Sequence, residues 1–115
     1  MQTDVSSLDL LTLPDVAERL AIPITQVQQM VRDGHLVALR TDGVPPSVPA
    51  ALLSDEGPVK GLSGVITLLR DARYTDAEIV DWLYRADDSL PGTPIEALRA
   101  NRGTEVKRRA QAAGF

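Results

Sequence analysis

Between Thr12 and Gly43 the apolar positions recur twice at helical spacing, first at Val16, Ala17 and Leu20 and then at Val27, Met30 and Val31. Thr12 and Asp15 stand three apart ahead of the first pattern, as in a capping box, and Pro14 falls in the first turn, where a missing N–H costs nothing. Ala21-Ile22-Pro23 breaks that helix, and Gly34 is placed as a left-handed stop for the second. Two short helices joined by a tight turn, with small Ala17 where they cross, predict a helix-turn-helix. The run Leu36-Val37-Ala38-Leu39-Arg40, followed by Asp42-Gly43, predicts a strand entering a hairpin turn, and so a wing. Pro45, Pro46 and Pro49 crowd the return strand, which is therefore expected to be short and at a sheet edge near Val48. Pro49 to Leu53 could form a helical turn, and Ser54 to Pro58 reads as a loop.

Beyond Gly61 the period is helical throughout. Leu62, Val65, Ile66, Leu68 and Leu69 make a broad apolar face, closed by Asp71-Ala72-Arg73. Thr75 and Glu78 offer a capping box for a helix carrying Ile79, Val80, Trp82 and Leu83. Asp87 to Gly92 is rich in turn residues. Thr93-Pro94-Ile95-Glu96 opens a further helix that turns Ile95 and Leu98 inward and stops at Asn101-Arg102-Gly103. Thr104 to Ala113 makes the last, with Val106 and Ala110 as its apolar line. The chain divides as a flexible segment at 1–11, a winged helix-turn-helix at 12–57 and a helical subdomain at 58–115 packed on the first. The fold class is mostly α with a small β wing. Val27, Met30, Val31, Leu36 and Trp82 are the expected core markers.

With 115 residues, 43% of them hydrophobic but only 3% aromatic, the core must be aliphatic. The absence of cysteine rules out disulfides and thiolate metal sites. No run of eighteen apolar residues and no basic-then-apolar opening is present, so a soluble, cytoplasmic chain is expected. The net charge of −4 is unevenly spread. Residues 1–57 carry three basic and eight acidic groups, residues 58–98 four and seven, and residues 99–115 five and one. Positive charge therefore collects at the C-terminal end.

If the second helix enters a major groove, its residues outside the Val27, Met30, Val31 stripe are Thr25, Gln26, Gln28, Gln29 and Arg32. Glutamine can bond adenine N6 and N7 together, and Arg or Thr can reach phosphates or bases. Outside this motif, three glutamines would read as a solvated helix face. Arg40 and Thr41 stand at the wing tip, suited to a backbone or minor-groove contact, although Asp42 beside them would repel phosphate. Arg19 could clamp a phosphate or pair with Asp15. Lys107, Arg108 and Arg109, with Arg99 and Arg102 near them, could supply phosphate contacts, or could be helix-end cations paired with Asp87 and Asp88.

Enzymatic readings find no footing. His35 is the single histidine, without a nucleophile or orienting acid at a motif spacing, and Gly61-Leu62-Ser63-Gly64 is neither a phosphate loop nor a nucleophile elbow. No catalytic residue, metal site or cofactor is expected.

Gly34-His35-Leu36, where a strand leaves directly after the recognition helix, resembles MerR-type and excisionase-type winged helices. The whole chain from about residue 12 to 115 is similar to a narrower group of small actinobacterial winged-helix DNA-binding proteins. The matching pieces are Arg32 to Arg40, Asp81 to Tyr84 with Asp87 to Leu98, and Glu105 to Ala112. The resemblance implies a DNA-binding winged helix with a helical extension, with double-stranded DNA as partner and the size of a monomer. The family includes a Ser/Thr-kinase substrate, which implies such a kinase as a further partner. That kinase site lies in a longer N-terminal tail, to which Thr3, Ser6, Ser7 and Thr12 do not match. The expectation is thus a DNA-binding protein, a transcriptional regulator or architectural binder, working as a monomer or weak dimer. The alternative is a protein-interaction module on the same scaffold, which the acidity of residues 1–57 favours.

Overall fold

A computed structural model describes residues 9–41, 43–85 and 92–113, excluding the side chain of Thr41. Strand β1, Leu10–Thr12, runs without a loop into helix α1, Leu13–Leu20. The junction holds because Thr12 is both the last strand residue and the helix cap. Its hydroxyl accepts from the Asp15 N–H at 3.3 Å, and the Asp15 carboxylate accepts from the Thr12 N–H at 3.3 Å. Ala21 ends α1 in the left-handed region at φ 57°, and the Ile22 N–H closes back on the Ala17 carbonyl at 3.0 Å. Helix α2, Ile24–Arg32, follows after Pro23, and α1 and α2 pack together as the expected helix-turn-helix.

The exit from α2 is set by Gly34 at φ 81°, with the His35 N–H bonded to the Met30 carbonyl at 2.9 Å. The positive φ favours glycine, and a Cβ there would lie 3.3 Å from Arg70 Nη1 and 3.7 Å from Ile66 Cγ2 on the neighbouring helix. Leu36, Val37, Ala38 and Leu39 are then all buried, without strand alternation. Strand β2 is only Leu39–Thr41, later than the expected start, because residues 36–38 are buried in the core outside the strand pairing.

The return strand corrects a second expectation. Strand β3, Val44–Pro49, is six residues long and lies in the middle of a sheet ordered β1-β3-β2, not at its edge. The unforeseen neighbour is β1: Leu10 and Leu11, expected in the flexible segment, pair with Pro49 and Val48. The prolines are tolerated because the two neighbours are staggered. Leu39 pairs with Ser47 and Thr41 with Val44, so Pro45 and Pro46 together oppose Arg40 in a bulge, beyond the end of β1. Pro49 in turn borders β1 beyond the pairing with β2.

The helical turn at Ala50–Leu52 is present as a 3-10 turn. The expected loop at 54–58 is a small hairpin instead, β4 Leu53–Ser54 against β5 Gly57–Pro58. The Ser54 hydroxyl donates to the Gly57 carbonyl at 2.9 Å and closes its turn.

Four helices complete the chain: α3 Leu62–Asp71, α4 Asp76–Tyr84, α5 Pro94–Arg99 and α6 Gly103–Ala113. Capping boxes at Thr75 with Glu78 and at Thr93 with Glu96 start α4 and α5 as their spacing requires. The inner face of α4 is Ile79, Val80 and Leu83. Trp82, expected in the core, is only half-buried, since it lies on the flank of that stripe. Met30 and Val31 are likewise partly buried, while Val27 and Leu36 are fully enclosed. Asp87, Asp88 and the residues to Pro91 lie outside the described residues, as do Met1 to Leu8 and Asp42.

Helix α6 packs chiefly along α3, turning Val106 and Ala110 into a core that also holds Leu62, Val65, Ile66 and Leu69. One hydrophobic cluster runs from Val16 in the helix-turn-helix to Ala110 in α6. The molecule is a winged helix-turn-helix continued by a helical subdomain. Among the described residues no helix is long and apolar enough to cross a membrane.

Candidate nucleic-acid interface

The outward face of α2 follows from where its core stripe falls. With Val27 buried and Met30 and Val31 half-buried, steps of about 100° per residue turn Thr25, Gln29 and Arg32 away, with Gln26 and Gln28 on opposite flanks. Thr25, Gln26, Gln28 and Gln29 are exposed. The glutamines are not equivalent. Gln29 Nε2 donates to Asp33 Oδ1 at 2.9 Å, and Arg32 Nη2 donates to Gln29 Oε1 at 2.8 Å. Gln29 is therefore the middle of a chain along the helix, its amide group oriented and both its ends engaged. Among the described residues Gln26, Gln28 and Thr25 have no side-chain partner. Gln28 presents a free carboxamide, one acceptor and two donors, at the centre of the helix.

The C-terminal end of α2 is held from the helical subdomain. Arg70 Nη2 donates to the Val31 carbonyl at 3.5 Å and to Asp76 Oδ1 at 3.4 Å, on the far side of Gly34. Arg70 thus sits between the end of α2 and the start of α4. No local sequence signal marks it, because its partners lie thirty-nine residues back and six ahead.

The remaining candidate cations lie on elements other than α2. Arg40 is exposed on β2 opposite the proline bulge. Thr41 belongs to that strand, its side chain outside the described set. Arg19 does not pair with Asp15, whose carboxylate is engaged at the Thr12 cap. Instead Arg19 lines an open groove of about 430 Å³ with Asp9, Ala50, Ala51, Leu53, Tyr84 and Arg99. Burial pushes the Tyr84 phenol up from its ordinary range, the nearby Arg99 charge opposes that, and Asp9 adds to it. Arg99, read from the sequence as part of a basic cluster, is engaged within the fold, where its Nη1 donates to the Ala51 and Leu53 carbonyls, each at 2.9 Å. Lys107, Arg108 and Arg109 are all exposed on α6. As consecutive helical residues they fan across about 200° of its surface, so they do not form one face.

His35 is exposed beside Gly34, and among the described residues no group of three or more acids or histidines could hold a metal.

Two family models match the chain. One, described as the wHTH domain of the DNA-binding protein Rv2175c, covers residues 2–53, and the other, the Rv2175c C-terminal domain of unknown function, covers 59–114. The DNA-binding protein Rv2175c of Mycobacterium tuberculosis is 40% identical over 90% of this chain and 79% of its own length. An NMR structure of Rv2175c superposes with a TM-score of 0.86 at 37% identity, covering 98% of this chain and 87% of that one. The winged half, the helical half and the way they are joined are thus shared along nearly the whole length, and this chain belongs to the actinobacterial winged-helix family of Rv2175c.

Proposed function

We propose that this chain binds double-stranded DNA, with α2 in the major groove and the β2–β3 wing against the adjacent backbone. The observation that carries this reading is the exposed polar set Thr25, Gln28, Gln29 and Arg32 on the second helix of a winged helix-turn-helix, with the Gln28 amide unpartnered among the described residues. A helix in that position reads base edges, and a free carboxamide matches adenine N6 and N7. The relative's name, DNA-binding protein, supports the same reading. The use we infer is regulatory or architectural, by a cytoplasmic monomer or weak dimer that takes no cofactor and does no catalysis. A Ser/Thr kinase as a further partner rests on the family resemblance alone.

An electrophoretic shift titration on random-sequence and genomic duplexes, repeated over a salt series, tests the proposal. Binding should weaken as salt rises. Gln28→Ala should leave the melting temperature nearly unchanged and cost about 1–3 kcal/mol on a preferred site, with little loss on non-specific DNA. Equal losses on both would make Gln28 a backbone contact. A second reading, a protein-interaction module, is favoured by the eight acidic against three basic groups of residues 1–57. It requires a complex insensitive to salt and no shift of any duplex.

A further inference from the structure

Among the described residues, two large apolar side chains stand exposed, Ile24 at 40% and Val44 at 51%. Ile24 is the first residue of α2 and Val44 the first of β3, so both lie on the elements assigned to the DNA. Burying an isoleucine fully is favourable, and Ile24 leaves part of that gain unrealised. Its place on the helix is informative. At about 100° per residue, Ile24 stands beside the buried stripe and directly one turn before Gln28, on the edge of the outward face. The helix start there has no side-chain cap, since the preceding residue is Pro23.

The major groove offers one apolar group, the C5-methyl of thymine, and adenine is the base whose edge a glutamine amide matches. Residues four apart on a helix rise about 6 Å, close to two base-pair steps of about 3.4 Å. We propose that Ile24 reads thymine through its methyl group, and that with Gln28 it selects a site containing neighbouring A·T pairs. The inference rests on the DNA-binding reading of α2 and adds a residue and a base preference to it. Ile24 contributes by contact with the methyl, Gln28 by hydrogen bonds to adenine.

The test uses a duplex enriched by the full-length protein from a random-sequence pool, resynthesised with deoxyuridine for thymidine at one position at a time. That exchange removes only the methyl and keeps the base pair. At one or two positions the wild type should lose about fourfold in affinity, which corresponds to the roughly 0.8 kcal/mol of one buried carbon. Ile24→Ala should bind the thymine and uracil duplexes alike, Ile24→Val should still distinguish them, and Gln28→Ala should keep the methyl preference while losing discrimination for adenine. Equal affinity of the wild type for every substituted duplex would overturn the inference, and needs no variant to fold. Undiminished methyl discrimination by a folded Ile24→Ala would overturn it too, as would enrichment of no preferred sequence, both leaving DNA binding intact. Failure to shift any duplex at low salt would instead remove the DNA reading itself, and Ile24 would then belong to a protein interface.

Discussion

Single residues decide what the two short helices can do. Gln28 and Gln29 are adjacent and identical in chemistry, yet one is free and the other is tied to Asp33 and Arg32. The tie is local, at spacings of three and four, so it is in principle readable from Gln29, Arg32 and Asp33 in the sequence. Ile24 is harder to read for a different reason: an apolar residue on the flank of the Val27, Met30, Val31 stripe belongs to neither face by spacing alone. The turn between the helices also carries a cost. Ala21 holds φ 57° while exposed, a conformation that costs a residue with a Cβ about 1–2 kcal/mol. Ala21→Gly removes that strain and gives back about 0.5–1 kcal/mol through the freer unfolded chain. The strain is the larger quantity, so the variant should be more stable by about 0.5–1 kcal/mol. Urea unfolding measures it, and a loss of stability would mean that the turn relaxes without a left-handed Ala21.

At the level of elements, helix starts were legible and strand neighbours were not. Thr12, Thr75 and Thr93 each lie three residues before an acid, and each box forms where that spacing places it. Capping is decided within four residues, which is why the sequence suffices. The sheet depends on pairing at a distance: three prolines pointed to a short edge strand, whereas β3 is central because β1 and β2 divide it between them. The helical flank of Trp82 is a similar case, since the period admits two registers and the packing of α4 on its neighbours selects one. A pH dependence follows from the caps. The bonds from the Thr75 backbone and hydroxyl hold the Glu78 carboxyl below its ordinary value of 4.5. A carboxyl lowered by folding lends stability that is complete above the unfolded value and fades as pH falls through the folded one. Thermal melts between neutral pH and about 3 should therefore show a shallower acid decline for Glu78→Gln than for the wild type. Parallel declines would mean that the box is not formed in solution.

Over the whole molecule, the two halves are bound by more than a shared core. Arg70 reaches back to the end of α2 and Arg99 to the turn after β3, so the helical subdomain braces both parts of the winged domain. Those two arginines are consequently less available to phosphates, and Arg19 lines a groove to which α2 contributes no residue. The exposed cations left on α2 and the wing strand are Arg32, already bonded to Gln29, and Arg40. A protein with so few should show a shallow dependence of log affinity on log salt, a slope of roughly −2 to −4 at about 0.9 per phosphate neutralised. Helix α6 decides where in that range it falls. Because Lys107, Arg108 and Arg109 fan around α6, a duplex lying along one side of the helix meets at most two of them. Replacing all three by Ala should thus flatten the slope by roughly 0.9–1.8, and not by the roughly 2.7 that three contacts would give. Exposed helical cations of this kind are worth only tenths of a kcal/mol each to stability, so the fold should be kept. The salt titration of the triple variant beside the wild type is the measurement. An unchanged slope would put α6 away from the DNA and leave binding to α2 and the wing. A drop near 2.7 would require the duplex to wrap the helix, or a second molecule of the protein to present its own α6 to the same site.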